Sequence, residues 1–186
     1  MPIELSPTAY VILGMIRLGK TNGYEIKQLV DVSTRRFWAA SYGQIYPELK
    51  RLEEAGLIEG EDAPAGGRQR RSYRLTKAGK EALHEWLASD DELSFEVRDA
   101  GLLRFFFADA MSTGETVALL RRMRERHERI ASELRVTRES AAEAPASFPY
   151  MTADFGVAHH QWIADWCAEK ERELLEEGAA DVHPPS

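Results

Sequence analysis

The chain has 186 residues, is 44% hydrophobic and 30% charged, and carries a formal net charge of −7. That composition supports packed cores, in one domain of ordinary size or two small ones, and its acidic total argues against unselective binding to nucleic acid. A single cysteine, Cys167, excludes an internal disulfide and fits a cytoplasmic protein, and no run reaches the ~18 apolar residues of a membrane span. The opening MPIELSPTAYVILGMIRLGK lacks a basic n-region and a small-residue cleavage site, so it reads as a helix of the fold. Charge is uneven: residues 1–88 hold 13 Lys/Arg against 11 Asp/Glu, and residues 89–186 hold 11 against 20. Only the N-terminal half remains a candidate for contact with DNA.

Ser6-Pro7 predicts an N-cap with proline at the first helical position. Ala9, Ile12, Leu13 and Ile16 form one apolar stripe of that helix and Val11, Met15 and Leu18 a second, so it is expected to be buried on two faces before Gly19 and Lys20 end it. Asn22 and Glu25 stand at capping-box spacing and start a second helix through Ile26, Leu29 and Val30. Phe37 and Trp38 fall in the connection to a third segment, Ser41 to Ile58. There Ser41 and Gln44 repeat the capping-box spacing, Ile45, Leu49 and Leu52 make one buried face, and Ala55-Gly56 closes the helix. The other face offers Tyr42, Gln44, Tyr46, Lys50 and Arg51. Pro47 either kinks this helix or marks its true start, with Tyr46 as N-cap.

Leu57 to Glu59 and Arg68 to Leu75 flank a Pro/Gly-rich tip and read as a β-hairpin. Tyr73 and Leu75 are expected on one face and Arg70, Ser72 and Arg74 on the other; Arg68, Arg70, Arg71 and Arg74 concentrate positive charge beside the tip. Thr76 caps a fourth helix with Leu83, Trp86 and Leu87 on it. The acidic seam Ser89-Asp90-Asp91-Glu92 marks the expected boundary between a DNA-binding domain, 1–88, and a helical dimerisation domain, 89–178. An apolar helix with Phe95, Leu102, Leu103, Phe105, Phe106 and Phe107 comes next. A long helix from Ser112 or Thr113 then carries a heptad seam, Leu120, Met123, His127, Ile130 and Leu134. Its Arg121 to Arg129 face reads as solvated charge. Residues 144–149 break it. A last helix presents Phe155, Ala158, Trp162 and Trp166 as its stripe, Gly178 is expected to end it, and 179–186 to be a disordered tail. A two-fold dimer would bury these seams reciprocally; the alternative is an intramolecular helical hairpin.

Two short helices joined by a tight connection, with a basic hairpin behind them, form a winged helix-turn-helix pattern. The fold class expected is mainly α with a small β-hairpin, a winged helix-turn-helix followed by an all-α, coiled-coil-like domain. Gln44 has the functional group for bidentate contact with adenine, and Gly43 allows close backbone approach. Ser41, Tyr42 and Tyr46 complete the reading face, and Tyr24 of the second helix joins the DNA-contacting set. Lys20, Lys27, Lys50, Arg68, Arg70 and Arg71 are the phosphate-contact candidates.

These residues also resemble the PadR family of bacterial transcriptional regulators. Gly23-Tyr24-Glu25-Ile26 is similar to its second-helix motif. Ser41-x-Gly43-x-Ile45-Tyr46-Pro47-x-Leu49-x-Arg51-Leu52-Glu53-x-x-Gly56-Leu57-Ile58 is similar to its recognition helix, and Arg71-x-Tyr73-x-Leu75-Thr76-x-x-Gly79 to the end of its wing. The resemblance covers most of residues 5–88, with weaker support in the helical remainder. It implies a homodimer on double-stranded DNA, repressing a nearby gene and released by an aromatic or amphipathic effector. Trp86, Trp162 and Trp166 are candidates for an effector pocket or for dimer packing. His159-His160 and Cys167 are not spaced as a metal site, no cofactor is expected, and no nucleophile or phosphate-loop motif points to an enzyme. The rival readings are a DNA-binding regulator without a small-molecule effector, and a protein-interaction adaptor that retains the fold.

Overall fold

The computed structural model describes residues 4–63, 70–93, 97–142 and 148–182, with side chains at 4–62, 71–93, 97–142 and 148–177. The chain divides into two compact units, Met1–Leu93 and Ser94–Ser186.

The first unit is built from α1 (Pro7–Arg17), α2 (Gly23–Val32), a 3₁₀ turn (Thr34–Arg36), α3 (Tyr42–Glu54), β1 (Ile58–Ala63), β2 (Arg70–Leu75) and α4 (Lys77–Leu87). Local chemistry sets the boundaries. Ser6 accepts the Ala9 N–H ahead of Pro7, Asn22 accepts that of Glu25, and Thr76 that of Gly79. Glu25 completes only half of the expected box, reaching back to the Thr21 N–H at 3.0 Å rather than to Asn22. Gly56 sits at φ 69°, the left-handed turn that ends α3. Ala9, Ile12, Leu13, Ile26, Val30, Ile45, Leu49, Leu52, Ile58 and Leu83 form one core. Burial of each Ile, Leu or Val among them contributes about 1.5–3 kcal/mol. The second stripe of α1 is only partly covered: Met15 is buried, Val11 half-buried and Leu18 exposed.

α3 starts at Tyr42 and runs on through Pro47, so the helix does not begin at the proline. Pro47 supplies no N–H, which leaves the Gly43 carbonyl without its usual intrahelical donor. β1 and β2 pair antiparallel, with Ile58 opposite Leu75, Gly60 opposite Tyr73 and Asp62 opposite Arg71. Tyr73, Leu75 and Arg71 therefore share a face. β1 runs on to Ala63, further than the expected strand end at Glu59; residues 64–69 of the expected tip, Arg68 included, lie outside the described residues.

The second unit contains α5 (Ala100–Phe106), a 3₁₀ turn (Ala108–Ala110), α6 (Thr113–Ser140) and α7 (Phe148–Val182). Ser112 and Glu115 cap α6 reciprocally, and Asp99 caps α5 through the Gly101 and Leu102 N–H groups. Phe95 lies outside the described residues. Four expectations need correction here. The α6 seam, Leu120, Met123, His127 and Leu134, is buried against the chain's own α7, with Ala131 rather than Ile130 fully buried, so it is an intramolecular hairpin and not itself a dimer seam. The buried stripe of α7 is Ala153, Val157, Ala164, Cys167 and Glu171; Phe155 and Trp162 are 71% and 66% exposed. Small side chains let the two long helices approach, which turns the bulky aromatics outward. Arg121 and Arg124 are not merely solvated: both bond to Glu171, a carboxylate buried in that seam, at 2.5 and 3.1 Å. Finally, α7 continues past Gly178 to Val182; residues 183–186 of the expected tail lie outside the described ones.

Candidate nucleic-acid interface

The exposed side of α3 gathers the aromatic and polar groups expected to face DNA. Tyr42 and Tyr46, one helical turn apart, stack with centroids 6.1 Å apart. Lys27 of α2 stands over the Tyr42 ring at 5.5 Å and pairs with Asp31. Tyr24, 48% exposed, accepts from the Gln28 amide at 2.9 Å. Gly23, the first residue of α2, is what lets α3 seat here: a Cβ at that position would lie 2.7 Å from the Tyr46 ring. Lys20 precedes α2, half-buried, and Lys50 lies further along α3, paired loosely with Glu54 at 3.6 Å.

Gln44 is placed differently from a side chain poised to clamp a base. Its carbonyl oxygen accepts from the Ser41 N–H at 2.9 Å and the Ser41 hydroxyl at 3.0 Å. In this state it braces the helix start, and only its amide NH₂ is uncommitted. Bidentate contact with adenine would require release of that bond.

The hairpin is tied to the helices by backbone and by charge. The Tyr73 N–H donates to the Thr21 carbonyl at 2.6 Å, and the Thr76 N–H to the Leu57 carbonyl at 3.1 Å. Arg71 turns inward and bonds to Glu53 of α3 at 2.5 Å and Asp62 of β1 at 2.8 Å. Both carboxylates hold its guanidinium above its ordinary pKa, and in return hydrogen bonding to Arg71 holds Glu53 below the usual carboxylate range. Arg74 pairs with Glu59 at 2.5 Å. The positive wing expected from four arginines is thus offset by acids on β1, and Arg71 serves as a strut between wing and α3 rather than a free phosphate ligand. Of Arg70 the backbone alone is described, opposite Ala63.

The three tryptophans do not form one described pocket. Trp86 belongs to the first unit and stacks on Tyr10 at 4.5 Å. Trp166 packs edge-on to Phe105 at 5.4 Å as part of the core around Leu119, Leu120, Met123 and Cys167, whereas Trp162 is exposed. His160 meets His127, Nδ1 to Nδ1 at 2.8 Å, while the neighbouring His159 stacks on Phe155. Among the described residues no group of three or more His, Cys, Asp or Glu is placed to hold a metal ion, and no helix is long and apolar enough to cross a membrane. Sequence reasoning passed over Arg35 and Arg36, whose 3₁₀ turn leads from α2 toward the exposed Phe37 and Trp38. Their signal was two adjacent arginines between the paired helices.

A capped helix pair with an aromatic outer face, backed by a two-stranded wing and followed by a helical unit, defines a transcriptional regulator of the winged helix-turn-helix class. Residues 12–85 match the transcriptional regulator PadR-like family, and residues 97–174 match the virulence activator alpha C-terminal family. The chain thus carries a PadR-like domain followed by a virulence activator alpha C-terminal domain, and members of the PadR-like family are transcriptional regulators. It is 29% identical over 167 residues to the negative transcriptional regulator PadR of Bacillus subtilis, covering 89% of this chain and 90% of that one. The crystal structure of Bacillus subtilis PadR with operator DNA is similar at a TM-score of 0.80 and 28% identity, over 89% of this chain and 98% of that one. The structure of the same protein with p-coumaric acid is similar at 0.75 and 26% identity, over 92% and 98%.

Proposed function

We propose that this chain is a homodimeric repressor that binds a pseudo-palindromic operator and releases it when a small aromatic or amphipathic effector binds. Residues 1–88 act as the DNA-binding domain and 89–178 as the dimerisation domain. The observation that carries the reading is the outer face of α3, where Tyr42, Tyr46 and Gln44 stand beside Lys27 and Tyr24 at the foot of a wing. Aromatic rings and amide groups suit base edges, and Lys20, Lys27, Lys50, Arg68 and Arg70 supply cations for phosphate. Ser41 and Gly43 bring the start of α3 close to the backbone, and Arg71 holds the wing in register with it. The relative solved on operator DNA, and named a negative regulator, supports the same role here; its complex with p-coumaric acid supports an effector of that kind. Exposed Phe106, Phe155 and Trp162 give the second unit an apolar surface for a second copy. A dimer places two recognition helices one turn apart, so half-sites should be spaced by ~10 bp.

A mobility-shift titration on the duplex upstream of the protein's own gene tests this. Selective binding that weakens with salt and is lost in an Arg68→Ala/Arg70→Ala variant is expected. Binding no tighter than to a shuffled duplex would remove the DNA-binding reading and leave an adaptor role.

A further inference from the structure

Between α2 and α3 the chain turns through Thr34–Arg36, Phe37 and Trp38 before Ser41 opens the helix proposed to read bases. The turn is fixed from within. The Phe37 and Trp38 N–H groups both donate to the Thr34 carbonyl, at 3.0 and 2.6 Å. Val30 before the turn and Ala40 after it are buried in the core of the first unit, so both ends are anchored. Its outer side is apolar for a surface turn: Phe37 is 62% exposed and Trp38 41%.

Two donors on this turn are uncommitted. Arg35 is exposed and has no ion pair or side-chain hydrogen bond among the described residues. The acid nearest to it in sequence, Asp31, is held by Lys27. The Trp38 indole N–H likewise has no acceptor among the described residues, although such a group ordinarily finds one. A free guanidinium and a free indole N–H, on a turn already ordered, suit a surface that is anionic and partly apolar.

Position selects that surface. A recognition helix lies in the major groove with its N-terminal residues at the base edges. Trp38 stands three residues before Ser41, so its Cα is at most about 10 Å from the start of α3. The groove is about 12 Å wide, which places its sugar–phosphate walls about 6 Å from a helix in its middle. The turn therefore meets the wall of the groove rather than the bases.

We infer that the α2–α3 turn is a further DNA contact, in which Arg35 and the Trp38 indole N–H hold the sugar–phosphate backbone beside the groove that α3 enters. The inference rests on the DNA-binding reading above and adds contacts that set the register of α3 without reading sequence. The two donors differ in a measurable way. Arg35 neutralises a phosphate and releases its condensed counterion, whereas the indole N–H is neutral and releases none. Loss of Arg35 thus changes how binding responds to salt, and loss of the indole N–H changes affinity alone.

Anisotropy titrations across a salt series test this, with the full-length chain on the duplex upstream of its own gene, on single-base variants of that duplex and on a shuffled one. Arg35→Gln should weaken binding about tenfold for each copy bound and make the slope of log K against log salt shallower by about 0.9 per copy. Arg35→Lys should restore the wild-type slope. Trp38→Phe should weaken binding about tenfold per copy with the slope unchanged. Both losses should be the same factor on every single-base variant, as a contact to the backbone requires. Arg129→Gln, a charge removed from the second unit, should alter neither quantity, and thermal melts report whether each variant folds. A folded Arg35→Gln with the wild-type slope, a folded Trp38→Phe with the wild-type affinity, or a loss confined to particular base pairs overturns the contact and leaves the DNA-binding reading standing. A wild-type chain that binds its own duplex no tighter than the shuffled one overturns that reading, and the contact with it.

Discussion

Gly23 is a single residue on which the recognition face depends. A methyl group there would strike the Tyr46 ring at 2.7 Å and approach Leu49 at 3.2 Å, so the ring must move or α2 must shift. Overpacking of this kind costs about 1–3 kcal/mol. Because the atoms struck belong to a side chain proposed to face DNA, Gly23→Ala should lower operator affinity by more than its loss of stability explains. Paired melting and anisotropy titrations check this. His127 offers a second prediction. Burial holds its pKa below the ordinary 6.5, with Asp99 opposing that shift and Arg126 and His159 adding to it. A proton on Nε2, facing Asp99 at 3.8 Å, leaves Nδ1 to accept from His160. The unfolded chain binds a proton more readily than the folded one, so stability is full above pH 6.5 and declines as pH falls below it. The melting temperature should drop from pH 7.5 to 5.5, and His127→Gln should flatten that slope.

Among the elements, the wing shows how far the amino-acid pattern could be read. Alternation placed Tyr73 and Leu75 on the packed face, and the Thr76 cap set the start of α4. Arg71, at the same parity as Tyr73, belonged to that face from the outset, but its carboxylate partner Glu53 lies 18 residues away and no local rule finds it. Gly79 is a comparable case. An added Cβ would sit 1.9 Å from the Leu57 carbonyl oxygen, a backbone atom that cannot swing aside. Gly79→Ala should therefore destabilise the first unit by about 2–4 kcal/mol, more than an ordinary helical Gly→Ala change, as denaturant titration would report. In α7 the strongest hydrophobes misled. Phe155 and Trp162 are apolar at helical spacing, yet the stripe that packs is Ala153, Val157, Ala164 and Cys167. Periodicity finds an apolar face, but close helix packing favours small residues, and hydrophobicity alone does not rank them above tryptophan.

At the scale of the whole molecule, capping residues and the α3 stripe made the winged helix legible before any coordinates, since each signal is local. Of the candidate site, the exposed side of α3 was legible and the bonding of two of its members was not: Gln44 braces its own helix and Arg71 its wing. The heptad of α6 could not distinguish a partner chain from the chain's own last helix, because both fill the same holes. The proposed dimer surface is therefore the exposed aromatics of the second unit. Phe155→Glu/Trp162→Glu should yield monomers by light scattering and weaken operator binding at least about tenfold, since each half-site alone forfeits the second set of contacts. The most direct measurement of the central claim is the affinity of wild type, Tyr42→Ala and Gln44→Ala for every single-base variant of the operator duplex. If α3 reads bases, each substitution should relax discrimination at specific positions under the helix by about 1–3 kcal/mol per base pair while leaving the other positions unchanged. A base-preference profile that is identical in all three proteins would contradict the assignment of α3 as the reading helix.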